Sequence, residues 1–322
     1  MTGRYTASVL LLLGLATFVA AEDKHETWGE RLGYAKGKRV LILHCDDIGM
    51  CWEANEAAKQ YLDGGHVQSA AVMVPCPWFN EFATWARERP KLDVGLHLTL
   101  TSEWKHYRWG PVSSRKDVPG LVDPDGYLWR DVMSVATNAS AKEIATEIRA
   151  QIDRALAKGL EPGHIDTHMG TLYARLDYTK AYFQAAVDYD IPAMAIEMTP
   201  KVIARFRKQG YPISDESVRI SKEYPLPKLD EFYSAPHGKT YEDARAKFME
   251  LVKSLDPGIT EIIFHPSLET EGLKKITNSW RQRSWEARMF SDPKMKELFE
   301  KEGVIFTNWR EMMRRHRART KK

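Results

Sequence analysis

The sequence predicts an α/β fold: a distorted (β/α) barrel of about seven strands in a chain of 322 residues. Three observations carry this. Short apolar runs alternate with helical patterns, which implies parallel strands joined by crossover helices. Seven or so such units in one chain suit a closed or nearly closed barrel, with a doubly wound open sheet as the alternative. Acidic and histidine residues also stand at the carboxyl ends of four separated strands, and these converge more readily at a barrel mouth than along an open sheet.

In chain order, residues 39–45, 67–74 and 92–100 read as strands, with helical patterns at 53–62 and 79–89 between them. Residues 101–130 are irregular. Ser140 and Glu143 form an S-x-x-E capping pattern that starts a helix over 141–158. A strand at 164–167 follows a Pro-Gly break, then a helix at 178–189 and a strand at 192–197. The remainder predicts a helix at 241–254, a strand at 261–265, helices at 280–289 and 293–301, and a last strand at 304–307. There is no internal repeat.

A single catalytic domain over 22–310 is preferred to two domains, since one barrel of roughly 250 residues accounts for the pattern. Residues 1–21 read as a signal peptide: a short basic start through Arg4, an apolar stretch from Ser8 to Ala20, and small residues before Glu22. That stretch is shorter than the ~20 residues of a membrane span, so no stable span is expected and export is. Residues 310–322 hold seven Lys/Arg and one Glu, so the net charge of +3 hides a net acidic body. Nucleic-acid binding is therefore disfavoured, and 311–322 reads as a solvated basic tail. Cys45, Cys51 and Cys76 match neither a zinc ribbon nor a redox pair and read as buried thiols.

Asp46 and Asp47 close the apolar run Val40-Leu-Ile-Leu-His-Cys45, where paired carboxylates need a cation or a shared proton to offset their repulsion. Strand alternation sets Val94, Leu96, Leu98 and Leu100 on one face and Gly95, His97 and Thr99 on the other, the lumen. His97 becomes a metal ligand in this reading because Asp47 and His168 stand at equivalent strand ends. His164 and His168 are about 13 Å apart along extended chain, so both cannot ligate one ion. His168 is chosen; His164 lies deeper, and Asp166 is an outer acceptor that fixes an imidazole. Alternation lets only one of Asp46 and Asp47 face the ion, leaving the other as a base. The competing role for one of them is a helix N-cap. His265, ending a buried strand before Pro266, is either a proton donor or a structural histidine. Trp104, Trp109 and Trp129 cluster in the irregular stretch. They offer either a sugar-stacking platform or the small core that orders a long loop.

These motifs resemble the YdjC-like, or chito-oligosaccharide, carbohydrate deacetylase family: His44-Cys-Asp-Asp-Ile-Gly49, Gly65-His-Val-Gln-Ser-Ala70, Gly95-Leu-His-Leu98, Val118-Pro-Gly-Leu-Val-Asp-Pro-Asp-Gly126, His164-Ile-Asp-Thr-His168 and Phe264-His-Pro266. The resemblance spans roughly residues 38–310 in the family's order. It implies a polysaccharide-deacetylase-like barrel and one divalent ion, Mg2+ or Zn2+, on Asp47, His97 and His168. It further implies Asp46 as general base, His265 as acid, and a small saccharide as substrate. Many relatives continue the motif that ends at His168 with further histidines, where this chain has Met169-Gly-Thr-Leu-Tyr173. The rival readings are a catalytically silent carbohydrate-binding barrel and a hydrolase of another amide or ester. A homo-oligomer is compatible with the sequence.

Overall fold

The computed structural model describes residues 26–211 and 213–320; the expected signal peptide at 1–21 lies outside them. Seven strands form one sheet: β1 (Arg39–Ile48), β2 (Ser69–Val72), β3 (Val94–Leu98), β4 (Ile165–Thr167), β5 (Glu231–Ser234), β6 (Gly258–Phe264) and β7 (Ile305–Phe306). Every strand pair is parallel, in the order β4-β3-β2-β1-β6-β5, with β7 beside the start of β1. The connections are mostly helical, as parallel pairing requires.

The expected strand at 192–197 is not a continuous ladder. Its residues switch partners: Met194 N–H donates to Ile165 O, whereas Leu229 N–H donates to Ala195 O. Single bridges Ile165↔Ala193 and Ile196↔Leu229 thus join the two ends of the curled sheet. Strand β5 was not expected, because Glu231-Phe-Tyr-Ser234 is short and shows no aliphatic run.

Two layers of core follow from the period of two along β1. Leu41, Leu43 and Cys45 pack outward into the main cluster beneath the helices, together with Val94, Leu96 and Leu98 of β3. Val40 and Ile42 point inward and pack with Ile259, Leu229 and Trp309 at the base of the barrel. His44 and Asp46 continue that inward face toward the carboxyl end.

The chain's end corrects one expectation. Residues Trp309–Thr320 are a helix with Trp309, Met312 and Met313 buried, not a solvated tail. Its arginines find specific partners, Arg315 on Glu311 and Arg317 on Asp190, so the basic charge lies on the outer face of a docked amphipathic helix. Cys45, Cys51 and Cys76 are all free and buried. Among the described residues no helix is long and apolar enough to cross a membrane.

Candidate metal centre

A register break in β1 between Cys45 and Ile48, with Asp47 at φ +62°, turns both aspartates inward. Plain alternation would have sent Asp47 out beside Cys45; the register break instead brings both carboxylates to the inner side. Such a left-handed residue is rare outside glycine, although aspartate tolerates it better than most. A second local distortion lies beyond β4. There Met169 and Gly170 take φ of +55° and +67°, and the chain turns sharply after His168.

Three buried donor atoms converge at the mouth. Asp47 Oδ1 lies 3.1 Å from His168 Nδ1 and 3.5 Å from His97 Nε2, and the two imidazole nitrogens are 3.2 Å apart. Metal–ligand bonds of about 2.0–2.2 Å at tetrahedral to octahedral angles place ligand atoms roughly 3–3.5 Å from one another, so the three spacings fit one small divalent ion. Asp47 Oδ1 makes no well-formed hydrogen bond, which leaves this buried carboxylate oxygen available as a ligand.

Each ligand is held from behind. The carboxylate of Asp166 lies 2.6 Å from His97 Nδ1, and Glu103 Oε1 lies 3.0 Å from His168 Nε2. Arg283 donates to Asp47 Oδ2 at 2.6 Å. These carboxylate–imidazole pairs fix ring orientation and leave the opposite nitrogen to face the ion. Burial pushes the Asp47 carboxyl up, but Arg283 first, then His168 and His265, hold it well below the ordinary range. Burial pulls His97 down, yet Asp46 and Asp166 raise it well above its usual value. His168, likewise opposed by burial, is lifted to about 9 by Glu103 and Asp47.

Asp46 lies on the other side of His97. Its Oδ1 is 3.5 Å from His97 Nδ1 and 3.1 Å from His44 Nε2, with no lysine or arginine paired to it among the described residues. Adjacent carboxylates therefore sit in different electrostatic settings. His265 is half-buried at the end of β6, its amide donating to Glu286 Oε2 at 2.7 Å. His164 does not reach the three ligands; it lies deeper, 3.9 Å from Asp166 Oδ2.

The three tryptophans separate. Trp109 is buried and donates to Thr101 O, while Trp129 is half-buried and donates to Gly120 O. Both contribute to the internal order of the loop. Trp104 packs between His168, at 6.1 Å, and the Arg283 guanidinium, at 5.5 Å, and is buried as well. Glu103 and Arg283 escaped the sequence reading. One lies in an irregular stretch and the other among three arginines in 281–288, with no periodicity to single either out.

Comparison with known proteins shows the family and the fold. A family described as YdjC-like protein matches residues 40–301. A carbohydrate deacetylase of Thermus thermophilus is 30% identical over 271 residues, covering 84% of this chain and 92% of the relative. One of Thermoanaerobacter pseudethanolicus is 25% identical over 273 residues, covering 84% and 98%. Among solved structures, an Enterococcus faecalis protein named for cellobiose-phosphate cleavage superposes with a TM-score of 0.69 at 24% identity. It covers 84% of this chain and 98% of its own, and shows the same fold.

Proposed function

The chain belongs to the YdjC-like family, and from that premise we propose that it is a metal-dependent carbohydrate deacetylase, a hydrolase removing acetyl groups from N-acetylated sugars or oligosaccharides. The observation that carries this is the convergence of Asp47 Oδ1, His97 Nε2 and His168 Nδ1 within 3.5 Å of one another, beside a second carboxylate. Three protein ligands leave open positions, as a hydrolytic centre needs and a closed structural site lacks.

A bound divalent ion supplies Lewis acidity, which acidifies water and polarises a carbonyl. The residues divide the remaining work. Asp47, kept ionised by Arg283, and the two imidazoles would hold the ion; Asp166 and Glu103 hold the imidazoles. Asp46, with no cationic side chain neutralising it beyond the neighbouring imidazoles, takes the proton from the attacking water. His265, half-open at the rim, returns a proton to the departing amine. The imidazole-rich set suits Zn2+ better than Mg2+, which prefers oxygen ligands. A silent binding barrel would need neither the base nor the orienting carboxylates.

The test is released acetate from a panel of N- and O-acetylated saccharides, with Zn2+ or Mg2+ added to stripped protein. Acetate from N-acetylated substrates supports the reading; metal-independent turnover, or binding without turnover, replaces it. We propose also that the protein is exported, on the basic start, apolar stretch and small residues of 1–21. Intact mass from the native host checks this, with a mature chain starting near Glu22 expected and a soluble species retaining Met1 counting against it.

A further inference from the structure

We propose that a second divalent cation is held inside the barrel, beneath the mouth, by His44 Nε2, His164 Nε2 and Asp166 Oδ2. This inference is independent of the reaction catalysed above it. The three residues come from β1, the chain just before β4, and β4. Their donor atoms lie within 4.8 Å of one another, as a set separate from Asp47, His97 and His168. His44 Nε2 is 3.2 Å from Asp166 Oδ2, a spacing two ligands of one ion adopt; His164 Nε2, at 3.9 Å, needs a small inward shift.

Both histidines are fully buried, and none of their four ring nitrogens makes a well-formed hydrogen bond, although His44 Nε2 lies 3.1 Å from Asp46 Oδ1 as well as near Asp166. That is an unusual concentration of buried polar atoms without a well-formed hydrogen bond, an arrangement costly to leave so. One cation would satisfy the two Nε2 atoms together. Asp46, Asp93, Asp166 and Glu261 also bring four carboxylates into this interior, all buried. Arg310 Nε lies 3.9 Å from Asp93 Oδ1, the oxygen that does not face His164. A divalent ion between the carboxylates and imidazoles offsets that excess.

The surroundings are organised as they are around ligating histidines. His44 Nδ1 faces Glu261 Oε2 at 3.5 Å, and His164 Nδ1 faces Asp93 Oδ2 at 3.8 Å, so each ring has a carboxylate behind it. Both carboxylates are in turn fixed by one residue: Trp309 Nε1 donates to Glu261 Oε2 at 2.7 Å, and Trp309 N–H donates to Asp93 Oδ2 at 3.0 Å. The Trp309 indole stacks on His164. Gly95 admits the ring, since a Cβ there would lie 2.3 Å from His164. Asp166 joins the two centres, with Oδ1 on His97 Nδ1 and Oδ2 toward the inner site. Imidazole and carboxylate together select Zn2+ among common divalent ions.

Elemental analysis of full-length protein expressed with added zinc and freed of loose metal tests this. Two zinc ions per chain are expected in the unmodified protein, one each in His164→Gln and His97→Ala, and none in the double variant. Fewer than two in the unmodified protein overturns the proposal and leaves His44 and His164 as buried partners of the carboxylates alone. Two ions retained in His164→Gln overturns it equally. Should that variant misfold, anomalous diffraction at the zinc edge on unmodified crystals decides. A peak among His44, His164 and Asp166 supports the site, and a peak at the mouth alone refutes it.

Discussion

Arg283 Nη2 lies 2.6 Å from Asp47 Oδ2, so a helix more than two hundred residues downstream grips one oxygen of the ligand carboxylate while the other faces His97 and His168. The pair is buried on both sides. Removing the guanidinium leaves Asp47 free to rotate and easier to protonate. Arg283→Met is expected to weaken metal affinity about 10–100-fold, the usual cost of losing an outer partner of a ligand. Competition against a chelator measures it, and an unchanged affinity would detach Arg283 from the centre.

The two aspartates are expected to separate by role. Asp47→Asn should lose the ion from the mouth, because a neutral amide is a poor ligand. Asp46→Asn should keep that ion and slow acetate release by about 10²–10⁴-fold, the contribution of a general base. Metal content and turnover measured on the same samples distinguish them, and exchanged phenotypes would reverse the assignment.

Much of this site was legible in the sequence because its ligands end apolar strands, and strand ends at a barrel mouth converge. Asp47, His97, His168, Asp166 and Asp46 are close together in the structure for that reason. The inward turn of Asp47 was not legible: it depends on a positive φ that no neighbouring glycine announces. Nor were Glu103 and Arg283, whose positions are set by a loop's packing and by tertiary docking of the helix Trp280–Met289. The fold followed its apolar periodicity, and failed where periodicity is short, as at Glu231–Ser234, or masked by charge, as at Trp309–Thr320.

Proton competition should govern metal affinity. His168 is raised to about 9 without an ion, and His97 is raised well above its usual value, so below those values each ring carries a proton that the ion must displace. Asp47 is depressed and already ionised, so it adds no proton dependence near neutrality. Apparent affinity is expected to fall as pH falls from 8 to 6, about tenfold per unit for each imidazole discharged. Titration calorimetry in buffers of different ionisation enthalpy counts those protons. A flat profile would show that the imidazoles are neutral before binding.

Stability should depend on the helix Trp309–Thr320 far more than its composition suggests. Trp309 is fully buried at the barrel base, packs with Val40, Ile42 and Ile259, and donates to both Glu261 and Asp93. Trp309→Ala is therefore expected to cost about 3–5 kcal/mol, as large-to-small core substitutions of this size do. Trp309→Phe keeps much of the apolar volume and the backbone donor to Asp93, but strands the Glu261 carboxylate, so about 1–3 kcal/mol is expected from that alone. Arg314→Ala, whose pairing with Glu311 is surface-exposed, should leave the unfolding midpoint close to that of the unmodified chain. Urea unfolding midpoints rank the three. If Trp309→Phe proves neutral while Trp309→Ala does not, the helix is held by packing and the indole N–H contributes nothing measurable.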